Sequence, residues 1–235
     1  MSFEVLHPER SGPHDSTSDE SRRLLVDLYA PAGKAVRVNM IESLNGSAVG
    51  DDETSESLSN RLDRRILGVI RDASDIVVVG ASTVRKEGYL APARSRLAIV
   101  TRSGDLDGHR LHDAAMPPLV LAPPAARARV EAELSGIPHD FAELSSPDLD
   151  PHDIVGVLRG LGADRIVCEG GPTLAASFLD AGVVDELCLT TSAKLHSPGL
   201  PLLGALSSTL DATLAQLILD EDSTLYARWS LDRQP

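Results

Sequence analysis

The chain has 235 residues, 42% of them hydrophobic, which is enough for a substantial core in one large domain or two small ones. A formal net charge of −13 excludes broad electrostatic attraction to nucleic acid or anionic membrane, so any phosphate must be held locally. Aromatic residues at 3% argue against base-stacking platforms, and no run approaches the roughly 18 apolar residues of a membrane span. Residues 1–33 are polar, with Leu24, Leu25 and Leu28 at helical spacing within 21–29. They read as an arm carrying one short helix, ahead of a single domain over 34–235. The first nine residues lack the basic start and apolar core of a signal peptide, so the expected location is cytoplasmic.

Residues 35–41 read as the first core strand, ended at Ser43, Leu44, Asn45 and Gly46, where Asn-Gly supplies positive φ. Over 57–71, Leu58, Leu62, Ile66, Val69 and Ile70 mark one face of a helix packed on a sheet. D-I-V-V-V-G at 75–80 is apolar on successive residues and belongs in the sheet interior. It leads into Gly80, Ala81, Ser82, Thr83, Val84 and Arg85, a glycine turn whose hydroxyls stand ready to cap a helix or hold a ligand. Shorter strands are expected at 97–100, 118–121 and 140–141, with helices at 125–134 and 152–161. A strand over 184–191 and a hairpin of 212–220 with 223–231, turning near Glu221 and Asp222, complete the chain. Strands alternating with helices imply an α/β/α sandwich around a mixed, mostly parallel sheet with a C-terminal antiparallel hairpin.

The most informative stretch is R-I-V-C-E-G-G-P-T-L-A-A-S at 165–177. Ile166, Val167 and Cys168 read as a buried strand, and Leu174, Phe178 and Leu179 recur at helical spacing beyond it. Gly170 and Gly171 fall at the turn, free to take positive φ and to let a ligand approach the backbone, while Pro172 suits a first helical position. The unpaired N–H groups and the dipole of such a helix start favour an anion. Glu169, a carboxylate at the carboxyl end of a buried strand, is hard to explain as packing. Cys168 and Cys188 both fall in predicted buried strands and read as small apolar residues. The seven histidines form no metal-ligand grouping, so no protein-bound metal is expected.

Two separated motifs carry a family resemblance: S-L-N-G at 43–46 with I-R-D-A-S-D-I-V-V-V-G-A-S-T-V-R at 70–85, and E-G-G-P-T-L-A-A-S-F-L-D-A-G-V-V-D-E-L at 169–187. They resemble the reductase domain of riboflavin biosynthesis, whose signatures look like S-L-D-G, L-R-A-x-x-D-A-I-x-x-G-x-x-T-V and E-G-G-x-x-L-x-x-S followed by L-V-D-E. The similarity runs from about Val36 to Gly204, and residues 30–31 and 85–89 point to the pyrimidine-reductase-like branch seen in actinobacteria. The resemblance implies a fold like that of dihydrofolate reductase, NADPH as cofactor, and a homodimer for which the C-terminal hairpin is a candidate edge. It implies hydride transfer to C1′ of the opened sugar imine of a phosphorylated 5-amino-pyrimidinedione, giving the ribitylamino product. Nicotinamide carries the hydride, so the protein's task is to orient, exclude water and neutralise phosphates.

Carried over residue by residue, Gly170, Gly171, Pro172, Thr173, Leu174 and Ser177 match the family's pyrophosphate segment. Gly80, Ser82, Thr83 and Val84 match the other cofactor turn, and Glu87 stands where the family often has Asp near the ribose. Glu169 matches a substrate-contacting glutamate. Arg71 and Arg94 have the spacing of substrate arginines, against readings as a helix-end cation and a solvated surface residue. Ser57 and Ser59 either cap the helix or touch substrate. For a 2′-phosphate, Arg85, Lys86, Arg102 and Arg110 are all possible suppliers of charge. Asn45 departs from the family's Asp: if that Asp handles the imine's proton, the amide alters the step, and if it shapes the turn, Asn-Gly serves equally. The H-x-E and P-C-x-x-C signatures of the zinc deaminase fused to many such reductases are missing, so deamination is expected of another protein. Two further readings stand beside the pyrimidine reductase: a reductase of dihydrofolate or another pterin, and a non-catalytic nucleotide-binding module.

Overall fold

The computed structural model describes residues 1–31, 33–87, 92–197, 199–204 and 206–232. Its elements are β1 (Ser2–His7), β2 (Ser11–Asp15), α1 (Asp19–Tyr29), β3 (Ala35–Ser43), α2 (Arg61–Asp72), β4 (Ile76–Gly80) and α3 (Ala81–Glu87). There follow β5 (Arg96–Val100), β6 (Leu119–Ala122), α4 (Arg127–Glu133), β7 (Asp140–Glu143), α5 (Pro151–Gly160) and β8 (Arg165–Cys168). The last are α6 (Pro172–Asp180), β9 (Glu186–Ser192), β10 (Ala212–Asp220) and β11 (Leu225–Leu231). Among the described residues the strands form one sheet in the order β2-β1-β10-β11-β9-β3-β8-β4-β5-β6-β7. From β9 to β7 every neighbour is parallel, and from β9 to β2 every neighbour is antiparallel.

Helices cover both faces, as the apolar runs require. Along β4, Val77 and Val79 point to one side, where Leu25 and Tyr29 of α1, Leu62, Ile66 and Ile70 of α2 and Val130 of α4 pack against them. Val78 points to the other, beneath Ile154 and Leu158 of α5 and Phe178 and Leu179 of α6. The α/β/α sandwich expected above is the fold observed.

Two features differ from expectation. Residues 2–15 are not an arm: β1 pairs with β10, aligning Phe3 with Asp220 and Val5 with Ile218, and β2 pairs with β1. Phe3 and Val5 are buried at the two-residue period of a strand, a signal too short to stand out beside polar neighbours. The C-terminal hairpin is not an edge either. β11 lies against β9 and β10 against β1, so β2 and β7 bound the sheet.

Buried polar groups join the halves. Arg37 on β3 donates to Glu186 on β9 and, through Nη1, to the Tyr29 carbonyl at 3.0 Å, while Arg228 on β11 reaches Glu186 Oε1 at 2.6 Å. Burial works to raise the Glu186 carboxyl, but the two guanidinium groups override it and hold it below its ordinary range. At the other end of β9, Asn60 caps α2 by accepting from the Asp63 N–H at 3.0 Å, and its Nδ2 donates to Asp220 Oδ2 at 2.8 Å. That bond ties the start of α2 to the β10–β11 turn.

Candidate active site

β8 stops at Cys168, level with Val38 of β3 and Val78 of β4. β3 runs five residues further and β4 two, which leaves a notch in the middle of the sheet with the end of β8 as its floor. Burial changes at the same level. Val36 and Val38 are fully buried, whereas Asn39 to Glu42 are partly exposed although β3 is an interior strand. The topology accounts for the opening: the chain leaves β3 over the α2 face towards β4, and leaves β8 over the α6 face towards β9. Open α/β sheets take ligands outside the carboxyl ends of strands at such a switch.

Glu169 stands on the floor, its N–H bonded to the Val78 carbonyl at 2.9 Å. Its side chain, 6% exposed, is gripped by the guanidinium of Arg71 from the end of α2: Nη2 lies 2.7 Å from Oε2, and Nε lies 3.0 and 3.1 Å from the two oxygens. A planar fork on a carboxylate fixes orientation as well as charge. The two residues predicted to contact substrate are therefore partners of each other, and the pairing replaces the reading of Arg71 as a cation serving only its helix end.

Just above, the two expected cofactor turns come together. A Cβ on Gly171 would lie 3.5 Å from Thr83 Oγ1, and one on Gly80 would lie 4.0 Å from Leu174 Cδ2. Gly171 is the N-cap of α6 with φ −60° and no side-chain cap, and Pro172 occupies the first turn, so the helix start is left to backbone donors. Neither Gly170 nor Gly171 uses the positive φ expected of them. What Gly170 supplies is room: a Cβ there would come within 2.5 Å of Leu174 Cδ2. Thr173 and Ser82 are exposed at the two helix starts, whereas Val84 is a fully buried core residue and Ser177 Oγ bonds back to the Leu174 carbonyl at 2.8 Å. Glu87 ends α3, and its side chain lies outside the described residues, as does Tyr89.

On the opposite rim, the turn after β3 places Gly46 at φ +80°, and its Asn45 is exposed. Asn45 Oδ1 accepts from Ser43 Oγ at 2.8 Å, and both ends of the amide bond the backbone of His196. Ser57 and Ser59 do not cap α2, a role taken by Asn60. Ser57 Oγ donates to Asp52 at 2.6 Å and Ser59 Oγ to Asp63 Oδ2 at 2.8 Å. Asp63 in turn accepts from Thr190 Oγ1 at 2.7 Å. Burial raises the Asp63 carboxyl above its ordinary range against the pull of these two hydroxyls.

A family model described as the RibD C-terminal domain matches residues 34–196. The chain belongs to the RibD C-terminal domain family. A pyrimidine reductase-like protein of Corynebacterium diphtheriae is 25% identical with a TM-score of 0.73, the match covering 86% of this chain and 93% of that one. The riboflavin biosynthesis reductase Rib7 of Saccharomyces cerevisiae shares the fold at 15% identity and TM-score 0.71, over 91% of this chain and all of that one. A diaminohydroxyphosphoribosylaminopyrimidine deaminase/5-amino-6-(5-phosphoribosylamino)uracil reductase of Thermotoga maritima does so at 20% identity and TM-score 0.69, over 85% of this chain. The match spans 57% of the Thermotoga chain. No curated protein matches.

Within this RibD-family reductase fold, Arg94 is the expected site residue that the structure leaves outside. Its side chain is 71% exposed and pairs with Asp72 at 3.2 Å, beside the end of α2 that carries Arg71 but turned to solvent rather than to Glu169. Asp63 is the residue that sequence reading passed over. In the letters it is one charge among Arg61, Arg64 and Arg65, and only its partner Thr190, 127 positions away, reveals that it faces the sheet. The cysteines offer no nucleophile, since burial pushes the Cys168 thiol to about 12 and the Cys188 thiol to about 11. Among the described residues no cluster of His, Cys, Asp or Glu could hold a metal ion, and no helix is long and apolar enough to cross a membrane.

Proposed function

We propose that the chain is an NADPH-dependent reductase that converts the ribosylamino group of 5-amino-6-(5-phosphoribosylamino)uracil to ribitylamino, a step of riboflavin biosynthesis. The observation that carries this reading is the joining, at one notch, of the two glycine turns with the Arg71–Glu169 pair. The turns fit the cofactor, because side-chain-free Gly171 and Gly80 let a pyrophosphate come close to the backbone at the two helix starts. Bound NADPH supplies the hydride from C4 of its nicotinamide. Glu169, held in one orientation by Arg71, presents its carboxylate as an acceptor towards the amino-pyrimidine edge. The partly exposed Asn39 and Ile41 form the bed on which the ring lies. Asp63, oriented by Ser59 and Thr190, is the protonatable carboxyl on the α2 wall and holds the proton that the imine nitrogen needs as hydride arrives at C1′. The functional unit is a homodimer, tested by light scattering.

A dihydrofolate or pterin acceptor is the second reading, and Asp63 favours it, because a half-buried carboxyl suits a ring bearing an amino group beside a ring nitrogen. The test is loss of nicotinamide absorbance with the phosphoribosylamino-pyrimidine and dihydrofolate in parallel. Turnover confined to the first supports the proposal, a larger kcat/KM for dihydrofolate reverses it, and tight NADPH binding without either turnover leaves a nucleotide-binding module.

A further inference from the structure

The family motif puts a carboxylate where this chain has Asn45, and the surroundings of Asn45 show what the amide does. Its Oδ1 accepts the His196 N–H at 3.0 Å while its Nδ2 donates to the His196 carbonyl at 2.9 Å. One residue's N–H and C=O are both satisfied, as by an opposite residue in an antiparallel ladder, with a side-chain amide standing in for a peptide. Backbone bonds extend the ladder on either side. Leu44 N–H donates to the Lys194 carbonyl at 2.8 Å, Ala48 N–H to Leu200 at 2.8 Å, and Leu202 N–H to Gly46 at 2.9 Å. Ser47 and Pro201 form an antiparallel bridge, and a Cβ on Gly199 would stand only 3.0 Å from the Ser47 Cβ. The joined segments also grip a third: Lys194 Nζ donates to the Ser57 carbonyl, and His196 Nδ1 lies 3.2 Å from Asp51 Oδ1.

We infer that Asn45 is a positioning residue, whose amide zips the segment after β9 onto the turn after β3 and so fixes one wall of the notch, and that position 45 carries no proton for the reaction. A carboxylate cannot form this clamp. It has no N–H for the His196 carbonyl and would set oxygen against oxygen. A neutral carboxylic acid can, because its O–H replaces the missing donor. Asn45→Asp is therefore a version of the clamp that opens and closes with pH. Among the described residues, the other ionisable groups facing the turn are Glu42, Asp51, Lys194 and His196, and the parent protein shares them all, so the difference between the two proteins reports position 45.

The inference deepens the reductase reading but rests on it only for its kinetic consequence, so the test begins with a readout that needs no substrate. Hydrogen exchange at the Leu44, His196 and Leu202 amides is measured by NMR on the whole chain between about pH 4 and about pH 8, as protection relative to the free peptide rate. The parent, with the same neighbours and no acid at position 45, sets the reference profile. Asn45→Asp should lose roughly tenfold protection at neutral pH and recover towards about pH 4, and Asn45→Ala should be low throughout. Gly199→Ala, which presses on Ser47 without touching position 45, should loosen the same three amides and guards against a variant that simply misfolds. Where turnover is measurable, Asn45→Asp should raise KM at neutral pH more than it changes kcat. Parent-like protection in Asn45→Asp at neutral pH would overturn the clamp, and so would a higher kcat in that variant with unchanged KM, which would return the acid to position 45. A protein without turnover on either acceptor defeats the reductase reading and leaves the exchange result standing.

Discussion

Glu169 and Arg71 share one task, since the arginine that neutralises the carboxylate also aims it. Glu169→Ala should lower kcat/KM roughly a hundredfold, because it removes charged hydrogen bonds and strands a guanidinium that is only 22% exposed. Arg71→Lys keeps the charge but loses the fork, and should fall between the parent and Glu169→Ala in steady-state assays. Asp63 makes the opposite kind of prediction. Its folded carboxyl is raised by burial, so the stability it lends is present below the unfolded value and is lost as pH rises through the folded one. At neutral pH the charged group is a net cost. Asp63→Asn should therefore melt higher than the parent at neutral pH, lose that advantage in acid, and turn over more slowly; a lower melting point at neutral pH would refute the assignment. Among the cations available to a 2′-phosphate, Arg85 is already held by the Asp105 carbonyl at 2.7 Å. Arg102 is exposed just past β5, whose Val100 pairs with Gly80. Arg102→Ala should raise KM for NADPH at least about tenfold and leave NADH unaffected, and equal effects on both would remove it from that role.

At the scale of elements, much of the fold was legible because burial on both faces leaves runs such as I-V-V-V and R-I-V-C that tolerate few other readings. The stripe of Leu62, Ile66, Val69 and Ile70 likewise announced α2 and its buried face. The start of that helix was less clear. S-L-S-N offers three capping residues, and Asn60 wins because only there does the side chain both accept from Asp63 N–H and reach Asp220 across the fold. β2 could not be read at all, since an edge strand of mostly exposed residues has no apolar face to advertise. The strand-to-helix turn at Gly170 and Gly171 was legible but explained by the wrong property of glycine, because a close approach from Leu174 is invisible until the helix is folded back. Gly170→Ala should accordingly cost about 1–3 kcal/mol in urea unfolding and weaken NADPH binding through the displaced start of α6. The segments around Asn45 show the limit of motifs: the turn was plain, its partner at His196 was not.

The whole molecule is a parallel half and an antiparallel half meeting at β9, and the Arg37–Glu186–Arg228 cluster lies on that seam. The Glu186 carboxyl is held low, so its contribution to stability is present above the unfolded value and is lost as acidification passes through the folded one. Glu186→Gln should cost about 3 kcal/mol at neutral pH, and its urea midpoint should change less than the parent's below about pH 4. The pairing of β1 with β10 has a different consequence. T-L-A-Q-L-I-L at 213–219 is uncharged, free of proline and glycine and mostly apolar, features shared with segments that stack into fibrils. Its one protection on that side is a strand drawn from more than 200 positions earlier in the chain. A contact so remote forms slowly. Until it does, β10 presents a bare edge to any neighbouring molecule, so a chain cut back to residue 16 should keep its notch and be lost to aggregation instead.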